Sequence, residues 1–279
     1  CETYQFKTEI KKLINLELEG KTGKTPFAVN AFQEKKSKDI NIKELLNFSK
    51  KIIKSMGQNA RFVNKGDKNP RASTIYKAKV LQKGIDINVL KGKNSFYIGH
   101  TVSLQNIDNY SARDYKKPMR DAKVGMTPPK LAQIMINLAP EAKTILDPFC
   151  GTGSFLMEGL LMGKAVVGSD IEERMVDYSN KNLAWLCEKF NCETNYRVFT
   201  RDARFLNKQL LPEKIDAIVT EGYLGKPFSS PPSEEEKEKE LRTLANLHLN
   251  WLAAVHPLLP QKAKVIMCVT TYKNNNKLE

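Results

Sequence analysis

Chemistry in this 279-residue chain concentrates in one glycine-rich turn and in the acidic residues that come after it. The turn is Asp147-Pro148-Phe149-Cys150-Gly151-Thr152-Gly153-Ser154, preceded by apolar Ile145 and Leu146 and followed by an apolar stretch from Phe155. Glycines at a strand-to-helix turn let the backbone approach a ligand closely, and amides opening a helix can hold a carboxylate. Asp170 ends the next apolar run. Its distance from the turn suits a carboxylate that chelates ribose hydroxyls. Asp202 follows a third run and is positioned to accept from an adenine amine. Each feature alone has a structural explanation, since tight turns need glycine and strand-end aspartates cap helices. Their joint placement at the ends of three successive strands predicts a nucleoside-cofactor site. A dinucleotide dehydrogenase is disfavoured, because Gly151 and Gly153 lack the third glycine of that fingerprint.

These residues require an open parallel sheet to position them. From Thr144 onward, short strands are expected at 144–147, 165–169, 196–199, 215–220 and 264–271. Helices are expected between them at about 153–162, 172–189, 204–210 and 234–255. Such alternation predicts a Rossmann-like α/β fold, doubly wound, with helices on both faces. Ser233 and Glu236 have capping-box spacing at the start of the last helix. Before residue 105 the pattern is a smaller α/β module. It has strands at 25–32, 85–90 and 95–104, helices at 41–56 and 72–82, and between the helices Arg61-Phe62-Val63 and a loop at 66–70. Residues 106–124 are polar and aperiodic and are expected to form a linker, giving units 1–105 and 125–279.

Charge is distributed unevenly. Of a net +14, residues 1–110 carry +11, from 21 basic and 10 acidic side chains. This suits a module that grips a polyanion, and equally a merely solubilising surface. No run of apolar residues approaches the length of a membrane span, and Cys1-Glu2-Thr3-Tyr4-Gln5 do not have the charged-then-apolar pattern of a signal peptide. Five scattered cysteines fit a reducing cytoplasm, and no metal-ligand pattern emerges. Arg113, Arg120 and Lys123 are candidates for phosphate contact or simple solvation. Trp185, Trp251 and Cys150 are expected to pack.

The turn resembles motif I of S-adenosylmethionine-dependent methyltransferases that act on nucleic-acid amines. The upstream residues Arg113-Asp114-Tyr115, Pro118, Arg120-Asp121 and Gly125-Met126-Thr127-Pro128-Pro129-Lys130-Leu131-Ala132 resemble the linker and following helix of THUMP-domain tRNA guanosine-10 N2-methyltransferases. The resemblance covers about 100–222 well and the earlier region only in outline. It implies S-adenosyl-L-methionine as cofactor, tRNA as partner and a THUMP-like RNA-binding N-terminal module. It also implies cofactor-binding roles for Asp147, Phe149, Gly151, Gly153, Asp170 and Asp202. In that family further segments precede the RNA-binding domain and extend the sheet, so the chain is expected to be incomplete or covered by a partner.

One motif departs from the family pattern. Where the family has Asp/Asn-Pro-Pro-Tyr after the fourth strand, this chain has Thr220-Glu221-Gly222-Tyr223. An exocyclic amine is a poor nucleophile, because its lone pair is delocalised into the ring. Acceptors must engage its protons and aim the lone pair, and an aromatic ring stacks on the extruded base. Thr220, Glu221 and Tyr223 are therefore the candidate catalytic residues, with Glu221 replacing the usual acid from a shifted position. Two alternatives stay open: methylation of an adenine or cytosine amine in RNA or DNA, and an RNA-binding protein that retains the fold without turnover.

Overall fold

The computed structural model describes residues 2–34, 40–93, 95–121, 126–212, 214–228, 230–274 and 277–278. It divides into two compact units, Cys1–Asn109 and Tyr110–Glu279. No helix among the described residues is long and apolar enough to cross a membrane.

The first unit is a four-stranded sheet in the order β2-β1-β3-β4. Its strands are β1 (Lys24–Gln33), β2 (Asn59–Phe62), β3 (Ile85–Lys91) and β4 (Phe96–His100), and only β4 runs antiparallel to its neighbour. The periodicity reading passes over α1 (Glu2–Leu18), which buries Phe6, Ile10, Ile14 and Leu18 at i, i+4 spacing. With α2 (Ile42–Ser55), it covers Phe27, Val29, Ile87 and Val89 on one face of the sheet. The helix expected over 72–82 is two short ones, α3 (Ala72–Lys77) and α4 (Val80–Lys83), broken at Lys79, whose φ is +53°. Beyond β2, side chains continue the pairing of β1. Asn64 accepts from the Val29 amide at 3.2 Å and donates to its carbonyl at 2.8 Å. Asn69 makes the same pair of bonds with Ala31, at 2.8 and 3.1 Å. The loop carrying Lys65, Lys68 and Arg71 is thus laid along a strand.

The stretch read as an aperiodic linker forms a helix over part of its length, α5 (Ile107–Tyr115), and the division between the units falls after Asn109. It is followed by α6 (Pro129–Asn137). Then β5 (Thr144–Asp147), α7 (Ser154–Leu161), β6 (Ala165–Asp170), α8 (Glu173–Phe190), β7 (Tyr196–Thr200), β8 (Ala217–Thr220), α9 (Glu234–Val255) and β9 (Lys264–Met267) succeed one another. The five strands are parallel and ordered β7-β6-β5-β8-β9. The order reverses at β5, so the residues after β5 and β8 open a crevice at the switch point. The helix expected over 204–210 is only a 3₁₀ turn, Ala203–Phe205. Both faces of the sheet are covered. Ala132, Ile136, Leu156, Leu160, Leu183 and Leu186 pack on one, and Trp251 and Val255 of α9 on the other. The capping box expected at Ser233 and Glu236 forms in full.

Candidate functional site

A cavity of about 530 Å³ is lined by residues that immediately follow β5, β6, β7 and β8. Asp147, Phe149, Gly151, Asp170, Asp202, Glu221 and Tyr223 all reach it. Seven of the nine residues singled out in the sequence therefore converge on one space. Gly153 and Thr220 stand behind its wall.

Asp147 ends β5 fully buried, and its Oδ2 has no hydrogen-bond partner among the described residues. Its Oδ1 accepts from the Phe149 amide, at 3.2 Å, and the Thr220 hydroxyl also acts on the carboxyl. Burial raises its pKa to about 7, against the lowering effects of Thr220 and that amide. A desolvated, half-satisfied carboxyl on a cavity wall is costly unless a ligand donates to it. Asp170 accepts from the Gly151 amide at 2.9 Å and the Glu172 amide at 3.0 Å, which fixes its carboxylate beneath the turn. Burial nevertheless raises its pKa.

Gly151 and Gly153 have φ of +49° and +83°, in the left-handed region that favours glycine. The Ser179 hydroxyl donates to the Gly151 carbonyl at 2.8 Å. A Cβ at Gly153 would sit 2.9 Å from that same hydroxyl oxygen. Gly153 therefore shapes the turn against α8. Gly153→Ala is expected to destabilise the protein by about 1–3 kcal/mol, read as a lowered urea midpoint.

Phe149 lines the cavity and meets fully buried Trp251 edge to face, with ring centroids 5.6 Å apart. Asp202 is engaged by Arg204 through both carboxylate oxygens, at 2.6 and 3.0 Å, and this pairing lowers its pKa. Any acceptor role for it works alongside that ion pair. Ile171, which the sequence reading did not single out, lines the same wall and is 65% exposed. It gives the cavity wall an exposed apolar surface directly after Asp170.

The fourth-strand motif has a backbone of its own. Thr220 is fully buried, and its hydroxyl accepts from the Gly222 amide at 3.0 Å. Gly222 and Gly225 have φ of +73° and +96°. Proline, fixed near −65°, cannot occupy position 222 in this conformation. Rigidity comes instead from outside the motif. Thr127 donates to Glu221 Oε2 at 2.6 Å. Glu240 of α9 accepts from the Lys226 amide at 3.0 Å, and Thr270 donates to the Leu224 carbonyl at 2.7 Å. Beneath Gly222 lies His248, whose Nδ1 accepts from Trp251 at 3.0 Å. Burial lowers the His248 pKa. Glu221 is thus aimed at the cavity by a residue 94 positions earlier, a pairing no local pattern signals. If Glu221 serves in catalysis, removing that contact in Thr127→Val is expected to lower turnover ~10-fold, measured by steady-state kinetics.

The phosphate-contact reading of the linker is corrected at Arg113. This residue is buried and pairs with buried Glu158 at 2.5 Å, while Gln133 donates to the same carboxylate at 2.6 Å. Arg120 is exposed and lies over the Tyr115 ring. Lys123 and Gly125 lie outside the described residues. Cys150 is buried beside Asp147 with its thiol pKa pushed well up, as befits a packing residue.

Strand order, switch-point cavity and acidic strand ends together define a Rossmann-like domain of the methyltransferase type. Residues 119–274 match the UPF0020 family, described as RMKL-like, methyltransferase domain, and the chain belongs to that family. It is similar to the tRNA (guanine(10)-N2)-dimethyltransferase of Methanothermobacter thermautotrophicus, 37% identical over 163 residues, 58% of this chain and 43% of the relative. The enzyme of the same name from Methanocaldococcus jannaschii is 33% identical over 185 residues, 62% of this chain and 49% of that one. The chain spans about half the length of these relatives or less. Among solved structures it resembles TrmN from Thermus thermophilus, at a TM-score of 0.52 and 18% identity, over 94% of this chain and 67% of that one. That likeness extends the fold agreement to the N-terminal unit.

Proposed function

We propose that this chain transfers a methyl group from S-adenosylmethionine to the exocyclic N2 amine of a guanosine in tRNA. The observation that carries the reading is the shared cavity. Asp147, Asp170 and Ile171 offer acceptors and an apolar platform on one side, and Glu221 and Tyr223 stand on the other. The names of the relatives at 37% and 33% identity support the substrate class.

The residues present fit the cofactor. Asp147 Oδ2 lacks a donor, which an ammonium group would supply. Asp170, anchored by two backbone amides, would take ribose hydroxyls on its remaining lone pairs. Asp202 and Ile171 would receive the adenine. When bound, S-adenosylmethionine supplies an electrophilic methyl on a sulfonium. The rest is the work of the chain. Glu221, oriented by Thr127, accepts a hydrogen bond from the guanine amine, which directs its lone pair, and takes up the proton released on methylation. Tyr223, 47% exposed, stacks on the extruded base. Thr220 acts on the loop through Gly222. In this reading the basic N-terminal unit is THUMP-like, its Asn64- and Asn69-pinned loop presents Lys65 and Arg71 to tRNA phosphates, and the protein works in the cytoplasm.

The test is methyl transfer to unmodified bulk tRNA, digested and read by nucleoside mass spectrometry. N2-methylated guanosine is the expected product. A methylated adenosine or cytidine would keep the enzyme class and overturn the substrate. Cofactor binding with no methylated nucleoside would favour a binding protein that retains the fold.

A further inference from the structure

Lys117 is a buried lysine with no carboxylate in contact among the described residues. It is 5% exposed, and its ammonium donates to two neutral acceptors, Thr152 Oγ1 at 3.3 Å and Ser154 Oγ at 3.2 Å. Buried ammonium groups are ordinarily paired, because desolvation of the charge is costly. Two acids, Asp114 and Glu158, act on Lys117 from beyond contact distance, against the repulsion of Arg120, and Glu158 is committed to Arg113 and Gln133. Burial pushes the Lys117 pKa down to about 8, which leaves the group mostly charged at neutral pH.

The position is built. Asn182, fully buried on α8, accepts from the Met119 amide at 2.9 Å and donates to the Met119 carbonyl at 3.0 Å. The same amide group donates to the Thr152 carbonyl at 2.8 Å. One side chain therefore fastens the Lys117 segment to the glycine-rich turn. Thr152 and Ser154 both line the cavity, and Ser154 opens α7. Because each hydroxyl oxygen accepts from Lys117, its own proton is left to donate elsewhere, and neither has an acceptor among the described residues. Two donors at a helix start, backed by a buried positive charge, suit an anion. The unsatisfied acid Asp147 lines the same cavity and suits a cation.

We propose that Lys117, acting through the Thr152 and Ser154 hydroxyls, forms the seat for the carboxylate of the methyl donor's amino-acid end, with Asp147 receiving the ammonium. The assignment rests on the methyl-donor reading above and adds to it the group that recognises an α-amino acid. Lys117 is a positioning residue here, since the hydroxyls stand between it and the cavity.

Isothermal titration of the full chain with two ligands tests it: S-adenosylhomocysteine, and 5′-methylthioadenosine, which lacks the amino-acid carboxylate and ammonium. Lys117→Met keeps the length of the side chain and removes the charge. It is expected to weaken S-adenosylhomocysteine ~10–100-fold and to leave 5′-methylthioadenosine within about twofold. Thr152→Val with Ser154→Ala is expected to show the same selectivity, and Lys117→Arg to recover part of the loss. Equal weakening of both ligands, or of neither, overturns the proposal, because a merely structural lysine has no reason to distinguish them. If the unaltered protein binds neither ligand, the methyl-donor reading itself falls and takes the proposal with it.

Discussion

Glu221→Ala is expected to lower kcat for methyl transfer to tRNA by ~10²–10³-fold, with affinity for S-adenosylhomocysteine changed by no more than about twofold. The separation follows from position. Glu221 is on the cavity wall but belongs to the loop after β8, whereas the turn and the acids proposed to hold the cofactor lie at or just beyond the ends of β5, β6 and β7. One carboxylate oxygen accepts from Thr127, and Oε1 has no partner among the described residues. An oriented carboxylate with a free oxygen is what a delocalised amine needs, since an acceptor on its N–H restores lone-pair density at nitrogen. Glu221→Gln keeps an acceptor oxygen but cannot take a proton. It is expected to fall between the unaltered protein and Glu221→Ala. If kcat survives both substitutions, the acid role passes to another group. If cofactor affinity collapses with kcat, Glu221 supports the cavity rather than the chemistry. Single-turnover rates with calorimetric Kd values separate these outcomes.

The sheet was readable because β5 and β6 are short apolar runs that end in acids, Asp202 and Glu221 come soon after β7 and β8, and the turn at 147–154 declares both a strand end and a helix start. What stayed hidden has a physical pattern. The buried face of α5 includes Arg113, which is compensated by Glu158 45 residues away. A periodicity search for apolar residues reads such a helix as a linker. α1 hides for another reason: its core-facing stripe, Phe6, Ile10, Leu13, Ile14 and Leu18, is interleaved with lysines and glutamates and blurred by exposed Leu16. The 204–210 stretch has the composition of a helix but keeps only the 3₁₀ turn that Asp202 caps through the Arg204 amide. At the site, the residue types and their strand-end positions could be read. The contacts could not, because Thr127 with Glu221 and Lys117 with Thr152 are long-range pairs that only the fold creates. The Thr-Glu-Gly-Tyr motif looks like a degraded version of a proline-rich one. The left-handed Gly222 and its supports from Thr127, Glu240 and Thr270 show a different loop, held from outside.

Asp147 gives the second large effect, a pH dependence of stability that Asp147→Asn removes. Its pKa in the folded chain is about 7, raised by burial from an ordinary value near 4. Between those values the folded protein holds a proton that the unfolded chain has released. The folded state binds more protons, so stability falls as pH rises through this window and levels off above about pH 7. The whole span corresponds to ~4 kcal/mol. Urea denaturation at intervals from pH 4 to pH 8 gives the curve, and subtracting the Asp147→Asn curve isolates this group from carboxylates such as Asp202 and Asp216, whose pKa values are lowered and whose contributions run the other way. A ligand ammonium against Oδ2 favours the ionised form. Saturating S-adenosylhomocysteine is therefore expected to flatten the difference curve, and its affinity to tighten as pH rises toward 7. Parallel curves for the two proteins would mean that Asp147 is ionised in the free fold. Its unsatisfied oxygen would then need another donor, and the cation-binding role assigned to it would lose its physical basis.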